Sequence, residues 1–277
     1  MYKLTESDRA LIKMALKEDI GEGDITSSAI AKDSFVKAQI IAKEGGIIAG
    51  TSLAIACFNE IDSKIKIKKI LNDGERVKRG SIILEVSGCG EAILSSERTA
   101  LNFLASLSGI ATLTSKFVKL AFPCKIYDTR KTTPGFRRQE KYAVRIGGGY
   151  NHRFGLFDEI LIKDNHIKIA GSIKDAVKSV KKRYPEKKIE VETEDIEGVK
   201  EAISQGVDII MLDNFPLPEM KEAISIIRKE DKKIKIEVSG GINLSNIKKI
   251  ARLAPDIISI GSLTHSAPSL DLSLEIL

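Results

Sequence analysis

The chain has 277 residues, with 44 Lys and Arg against 38 Asp and Glu, three Cys, three His and no Trp. With 43% hydrophobic and 30% charged residues it can bury an ordinary core, which excludes a disordered or collagen-like chain. The longest uncharged stretch, Thr99 to Ser115, carries Asn102, Ser106, Ser108 and Thr112 and cannot serve as an apolar membrane span.

The first residues, MYKLTESDRALIK, reach charge and helical periodicity at once and contain no apolar core of a signal peptide, so a cytoplasmic, soluble protein is expected. Residues 5–17 predict an amphipathic helix, followed by DIGEGDITS as a loop, FVKAQIIAKE as a strand and TSLAIACFNEI as a helix. KIKIKKIL and GSIILEVSG predict strands joined by the turn DGERVKRG, and SSERTALNFLASLSGIATLTSKFVKLA predicts a long helix. From residue 125 the pattern becomes a βα rhythm. Apolar runs at KIYDTR, EILIKDN, KIEVET, DIIMLDN, KIKIEVSG and DIISIGS alternate with amphipathic segments, with Asp195, Ser245 and the Pro216-x-Pro218 pair as helix starts. Nearly continuous apolar strands between helices mean a parallel sheet buried on both faces, either a barrel or an open doubly wound sheet.

Each run ends in polar or ionisable residues: Asp128 to Lys131, Lys163 to Asn165, Glu190 and Glu192, Asp213 and Asn214, Ser239 to Gly241, and Gly261 with Ser262. One such ending is an ordinary strand cap. Six at the same end of parallel strands describe a rim of the kind that carries the active site of a barrel. Charge points to the same place. Residues 125–153 hold eight basic and two acidic residues, leaving 36 of each sign in the rest of the chain, so the whole net charge of +6 lies arithmetically in that stretch. Pro134-Gly135 and Gly147-Gly148-Gly149 interrupt it, so it is read as a non-helical lining for small polyanions, with the glycines approaching something bound. No aromatic interleaving or nucleic-acid module accompanies the charge, so no nucleic acid is expected as partner, and no membrane.

Cys57, Cys89 and Cys124 stand far apart, without a C-x-x-C, and read as small buried hydrophobes. His152, His166 and His265 all fall beside the rim, and at least one is expected to touch ligand. Their spacing does not suit zinc, whereas Glu192 and Asp213 with a polyphosphate would suit Mg²⁺.

The blocks ERTALNFLASLSGIAT, DTRKTTPGFRRQEKYAVRIGGGYNHRFGLFDEILIKDNHI, EVET, IMLDN, EVSGGI and ISIGSLTHS, preceded by EDIGEGDIT, closely resemble the quinolinate phosphoribosyltransferase family from about residue 18 to residue 266. The resemblance implies transfer of phosphoribosyl from phosphoribosyl pyrophosphate to quinolinate with Mg²⁺, giving nicotinate mononucleotide, CO₂ and pyrophosphate in de novo NAD biosynthesis. It implies an N-terminal α/β sandwich over residues 1–110, with the tail 268–277 packing on it, and an incomplete α/β barrel with parallel strands over residues 111–267. It also implies a homodimer sharing its sites between subunits, with a hexamer left open. Carried over by residue, Arg130, His152, Arg153 and Lys163 would bind the quinolinate carboxylates, with Arg98 reaching in from the partner chain. Lys131, Glu192 and Asp213 would act on the donor, ribose and Mg²⁺, with Glu190 an alternative to Glu192. Ser239, Gly240, Gly241, Gly261, Ser262 and His265 would cradle phosphate. The alternative within the fold is a paralogue of the molybdenum-transport-associated type acting on a different anion.

Overall fold

Period-two and period-3.6 apolar patterns become twelve strands and eleven helices in the computed structural model, which describes residues 2–277. In chain order the strands are β1 (Phe35–Ala42), β2 (Gly46–Ile47), β3 (Lys66–Lys69), β4 (Arg76–Val77), β5 (Ile82–Cys89), β6 (Lys125–Tyr127), β7 (Ile160–Ile162), β8 (Ile189–Thr193), β9 (Ile209–Asp213), β10 (Lys235–Ser239), β11 (Ile257–Ser259) and β12 (Leu272–Ile276). The chain divides into two compact units. The first takes residues up to Leu113 together with Arg138–Gly148 and Ala267–Leu277, and the second takes Thr114–Arg137 and Gly149–Ser266. Residues 138–148, which lie inside the expected barrel span 111–267, group with the first unit.

In the first unit an antiparallel sheet runs in the order β12-β1-β5-β3, with the C-terminal tail laid along β1 so that Ala38 faces Ile276. Ala38, Ile40 and Ala42 on one face of β1 are buried, as alternation requires of a sheet wet on one side. The helix Glu6–Ile20 starts where Thr5 and Asp8 form a capping box. Part of the expected DIGEGDITS loop begins a helix, Ile25–Ile30, because Asp24 Oδ1 accepts from the backbone N–H of Thr26 and Ser27.

The basic segment departs most from expectation. Residues Arg137–Ile146 form a helix that buries Gln139, Glu140, Lys141, Ala143 and Val144. Ten residues without Gly or Pro can propagate a helix between the two breaks, and Arg138 finds a protein partner while Arg145 stays exposed. Asp8, fully buried, accepts from Tyr2 Oη (2.7 Å), Thr5 N (2.7 Å) and Gln139 Nε2 (2.7 Å), and pairs with Arg138. Gly148 stands at φ +88° just past the helix end, so the triple glycine provides a helix stop and does not line the site.

In the second unit the six parallel strands lie in the order β6-β11-β10-β9-β8-β7, with β6 and β7 as unpaired ends: a barrel that does not close. Residues alternating outward, Ile126, Ile162, Val191, Ile210, Leu212, Ile236, Val238 and Ile258, are all buried and form the core. At the open edge the chain returns beside β6 in a single parallel bridge. Tyr150 N donates to Ile126 O (2.8 Å), Asp128 N donates to Tyr150 O (3.1 Å), and the two tyrosine rings stack. Asp195 caps its helix as expected, whereas Ser245 is held in a turn by Asn243 and the helix Ile247–Ala251 starts after Asn246. The three cysteines are free, and only Cys57 is fully buried.

Candidate active site

Every second residue of a strand shares a face, so the outward apolar set leaves a second set pointing into the barrel. Register aligns that set. Glu192 of β8 pairs with Met211 of β9, Met211 with Glu237 of β10, Asp213 with Ser239, and Ser239 with Ser259 of β11. These residues, with Thr129, Arg130, Lys131, His152, Arg153, Leu161 and Lys163, line a cleft of about 350 Å³ at the C-terminal ends of the strands. Its walls divide by charge: cations come from the end of β6, the returning segment and β7, and carboxylates from β8, β9 and β10.

Of the basic residues in 125–153, only Arg130, Lys131 and Arg153 line the cleft. Arg137 instead ties loops together, with Nε donating to Thr132 Oγ1 (2.9 Å) and Nη1 to Phe154 O (3.0 Å). Arg130 Nε is buried without a hydrogen-bond partner among the described residues. Arg153 is buried and donates from Nη1 to Glu159 O (3.1 Å); burial and the adjacent Arg130 charge both disfavour its cation. Two adjacent like charges, one of them buried, are an arrangement that an anion would relieve.

Lys163 Nζ lies 2.6 Å from Glu192 Oε2, so a residue expected to bind one substrate holds a residue expected to bind the other. Asp213 accepts from Asn214 Nδ2 at Oδ2 (2.7 Å). Gly240 has φ +89°, and a Cβ there would lie 2.1 Å from Asn214 Oδ1, so only glycine lets the chain turn beside that residue. Over Gly261, a Cβ would meet Lys131 Cδ and His265 Nε2 at 3.1 Å each, which places those two side chains against the backbone after β11. Gly240, Gly241, Gly261, Ser262 and His265 lie at the strand ends but do not line the cleft itself, and Ser239 does. Arg98 is exposed on the helix Gly90–Ala121, in the first unit.

The histidines separate in the same way. His166 Nδ1 accepts from Lys163 N (2.9 Å), His265 Nδ1 lies 2.6 Å from Ser266 Oγ, and His152 alone lines the cleft. His152 Nδ1 accepts from Arg153 N (2.8 Å), so Nε2 carries the proton of the neutral ring, and Nε2 faces Glu190 (3.4 Å) and Glu237 (3.6 Å).

Glu237 was not singled out in the sequence, although it lies two residues before Ser239 on the same strand face. Burial pushes the Glu190 carboxyl up to about 7; burial and the Glu190 charge push Glu237 to about 8. An acid raised on folding binds its proton more tightly in the native than in the unfolded state, so its contribution to stability falls as pH rises from near 4.5 to about 8 and is level above. Glu237→Gln should therefore melt higher than the parent near pH ~8.5, by a margin that shrinks toward pH ~5 in thermal scans. Equal melting temperatures at both ends would contradict the assignment.

Comparison with known proteins places both parts of the chain. Residues 24–108 match the model for the quinolinate phosphoribosyl transferase N-terminal domain and residues 110–275 that for its C-terminal domain. The chain is 46% identical over 276 residues to the probable nicotinate-nucleotide pyrophosphorylase [carboxylating] of Methanocaldococcus jannaschii, covering 96% of each. It is 43% identical over 271 residues to the probable nicotinate-nucleotide pyrophosphorylase [carboxylating] of Bacillus subtilis, covering 97% of this chain and 93% of that one. Among solved structures, the nicotinate-nucleotide pyrophosphorylase from Francisella tularensis superposes with a TM-score of 0.94 at 42% identity, covering 99% of this chain and 98% of the other.

Proposed function

The chain belongs to the quinolinate phosphoribosyltransferase family, and from that premise we infer how its cleft performs the reaction. The protein transfers phosphoribosyl from phosphoribosyl pyrophosphate to quinolinate with decarboxylation, giving nicotinate mononucleotide, CO₂ and pyrophosphate for NAD biosynthesis. The observation that carries this reading is the set of three cations, Arg130, Arg153 and Lys163, suited to a dicarboxylate, with His152 beside them and the carboxylates Glu192 and Asp213 in the same cleft. The paralogue acting on another anion is not favoured, since the relatives at 41–46% identity are named as carboxylating enzymes.

Arg130, Arg153 and Lys163 gather the two quinolinate carboxylates, and His152 completes that wall. Lys131, placed against Gly261, lies between quinolinate and the donor, while Ser239, Gly240, Gly241, Gly261, Ser262 and His265 surround phosphate. The pyridine nitrogen attacks the anomeric carbon as pyrophosphate leaves. Catalysis then rests on positioning and on Glu192 and Asp213 beneath the developing positive charge. Once quaternary, the positive ring nitrogen stabilises as an ylide the electron pair left at the neighbouring carbon when its bond to CO₂ breaks, and that carbon then takes a proton from water, so no dedicated base is needed. Glu192 and Asp213 are hard oxygen donors on adjacent strands, and they fit Mg²⁺ held jointly with a polyphosphate. Bound there, Mg²⁺ would neutralise the leaving pyrophosphate. The exposed Arg98 is the residue that a partner subunit would supply in a homodimer or hexamer, and a cytoplasmic setting suits these substrates.

In an assay of purified protein, quinolinate should release CO₂ and pyrophosphate from phosphoribosyl pyrophosphate, and nicotinate should not replace it. Turnover of nicotinate without turnover of quinolinate would make the protein a non-carboxylating phosphoribosyltransferase.

A further inference from the structure

Two neighbouring residue pairs of the cleft, Arg130-Lys131 and His152-Arg153, reach it by different routes. Arg130 and Lys131 continue β6, whereas His152 and Arg153 follow the segment that returns along the open edge of the barrel. The strand pairing between the two stops at the bridge of Tyr127 and Tyr150, and farther along Arg137 joins their loops by donating to Arg130 O (3.4 Å) and Phe154 O (3.0 Å). Beyond that bridge the next link is a side chain. Asp128, with no solvent exposure, accepts the backbone N–H of His152 at Oδ1 (2.9 Å). Its own N–H donates to Tyr150 O (3.1 Å), so one residue grips the returning segment on both sides of Asn151.

We propose that Asp128 is a positioning residue for the dicarboxylate subsite: it fixes the His152-Arg153 pair against the Arg130-Lys131 pair at the open β6 edge of the barrel. Neither half of the wall needs Asp128 for its charge. What it supplies is spacing. Arg153 N is anchored on His152 Nδ1, so a shift of the His152 backbone moves the imidazole and the guanidinium together. A bidentate grip on two carboxylates tolerates little such movement.

The sign of the effect separates this role from a general electrostatic one. Asp128 places a negative charge beside a site for an anion, so as background charge alone its removal would tighten quinolinate. A positioning role demands the opposite. The inference rests on quinolinate occupying this cleft. Asp128→Asn, which keeps the shape and one acceptor, is expected to raise the quinolinate KM about fivefold, because a charge-assisted hydrogen bond becomes a neutral one. Asp128→Ala is expected to lower kcat/KM for quinolinate about 100-fold, the scale of a displacement near 1 Å at a reacting site. In both, the KM for phosphoribosyl pyrophosphate should stay within about threefold of the parent.

A folded Asp128→Asn with an unchanged or lower quinolinate KM would overturn the proposal, and this variant decides the matter should Asp128→Ala fail to fold. Hydrogen exchange at the His152 amide provides a readout without substrate: protected in the parent, it should exchange faster in the variants, and unchanged protection would also overturn it. A parent protein that ignored quinolinate while the amide responded as expected would instead count against the substrate reading.

Discussion

Replacing Arg130 with Ala is expected to cost at least ~100-fold in turnover of quinolinate with the fold retained, the scale of removing one preorganised charge from a developing transition state. Arg130 lies at the end of β6, half-buried, with its Nε buried and unpaired among the described residues, so that donor is available to an anion in the cleft. The same side chain depresses the cationic form of Arg153, and removing it would ease that strain while abolishing the grip. Stability should therefore change little or rise slightly as activity collapses, which steady-state kinetics and a melting curve on one sample can check. An Arg130→Ala protein with near-normal turnover and a normal fold would refute the placement of the carboxylate subsite. Lys163 is a less clean target, because its ammonium also neutralises Glu192 at 2.6 Å and its removal frees a buried carboxylate.

A second large effect is expected in the first unit. Asp8→Ala should destabilise the protein by about 3–5 kcal/mol, because it leaves Arg138 without its counter-charge and strips acceptors from Tyr2, Thr5 and Gln139. Urea titration would measure it as a fall in midpoint without a comparable change in slope. Burial by itself would raise the Asp8 carboxyl, but hydrogen bonds from Thr5 and Tyr2 and the Arg138 charge hold it below its ordinary value. A carboxyl depressed on folding stabilises above its unfolded pKa, and that stability is lost as pH falls through the folded value. The variant's deficit should therefore be fully developed at neutral pH and shrink in acid, and a constant deficit across that range would contradict the assignment. The acid response here is opposite in sign to that of Glu237, so the two substitutions should bend the pH–stability profile in opposite directions.

Much of the candidate site was legible in the sequence because strands encode it with a period of two. Lys163, Glu192, Asp213 and Ser239 each end an apolar run, and the strand rule alone brings them to one rim. Glu237 could have been found by the same rule, counting back from Ser239, but it sits inside the run KIKIEVSG, where an acidic residue looks like a solvated position. Only the barrel's inward face makes it buried. His166 and His265 illustrate the converse. Their place beside the rim was readable, yet their ring nitrogens meet Lys163 N and Ser266 Oγ, local partners that no spacing announces.

The sequence by itself determined the alternation of strands and helices, the polar strand ends and the gathering of net charge in residues 125–153, since these follow from local periodicity and composition. Tertiary structure decided which of those charges serve the cleft. A run of basic residues read along the chain has no inside or outside. Folding sends Arg138 to the buried Asp8, uses Arg137 to join loops, and turns Gly147-Gly148-Gly149 into the end of a helix. It brings Arg130 and Lys131 from the end of β6 and Arg153 from the segment returning beside that strand to the same cleft. The division is physical: helix and strand formation depend on near neighbours, whereas the worth of a charge depends on which opposite charge, or which desolvated pocket, long-range packing brings within a few ångströms.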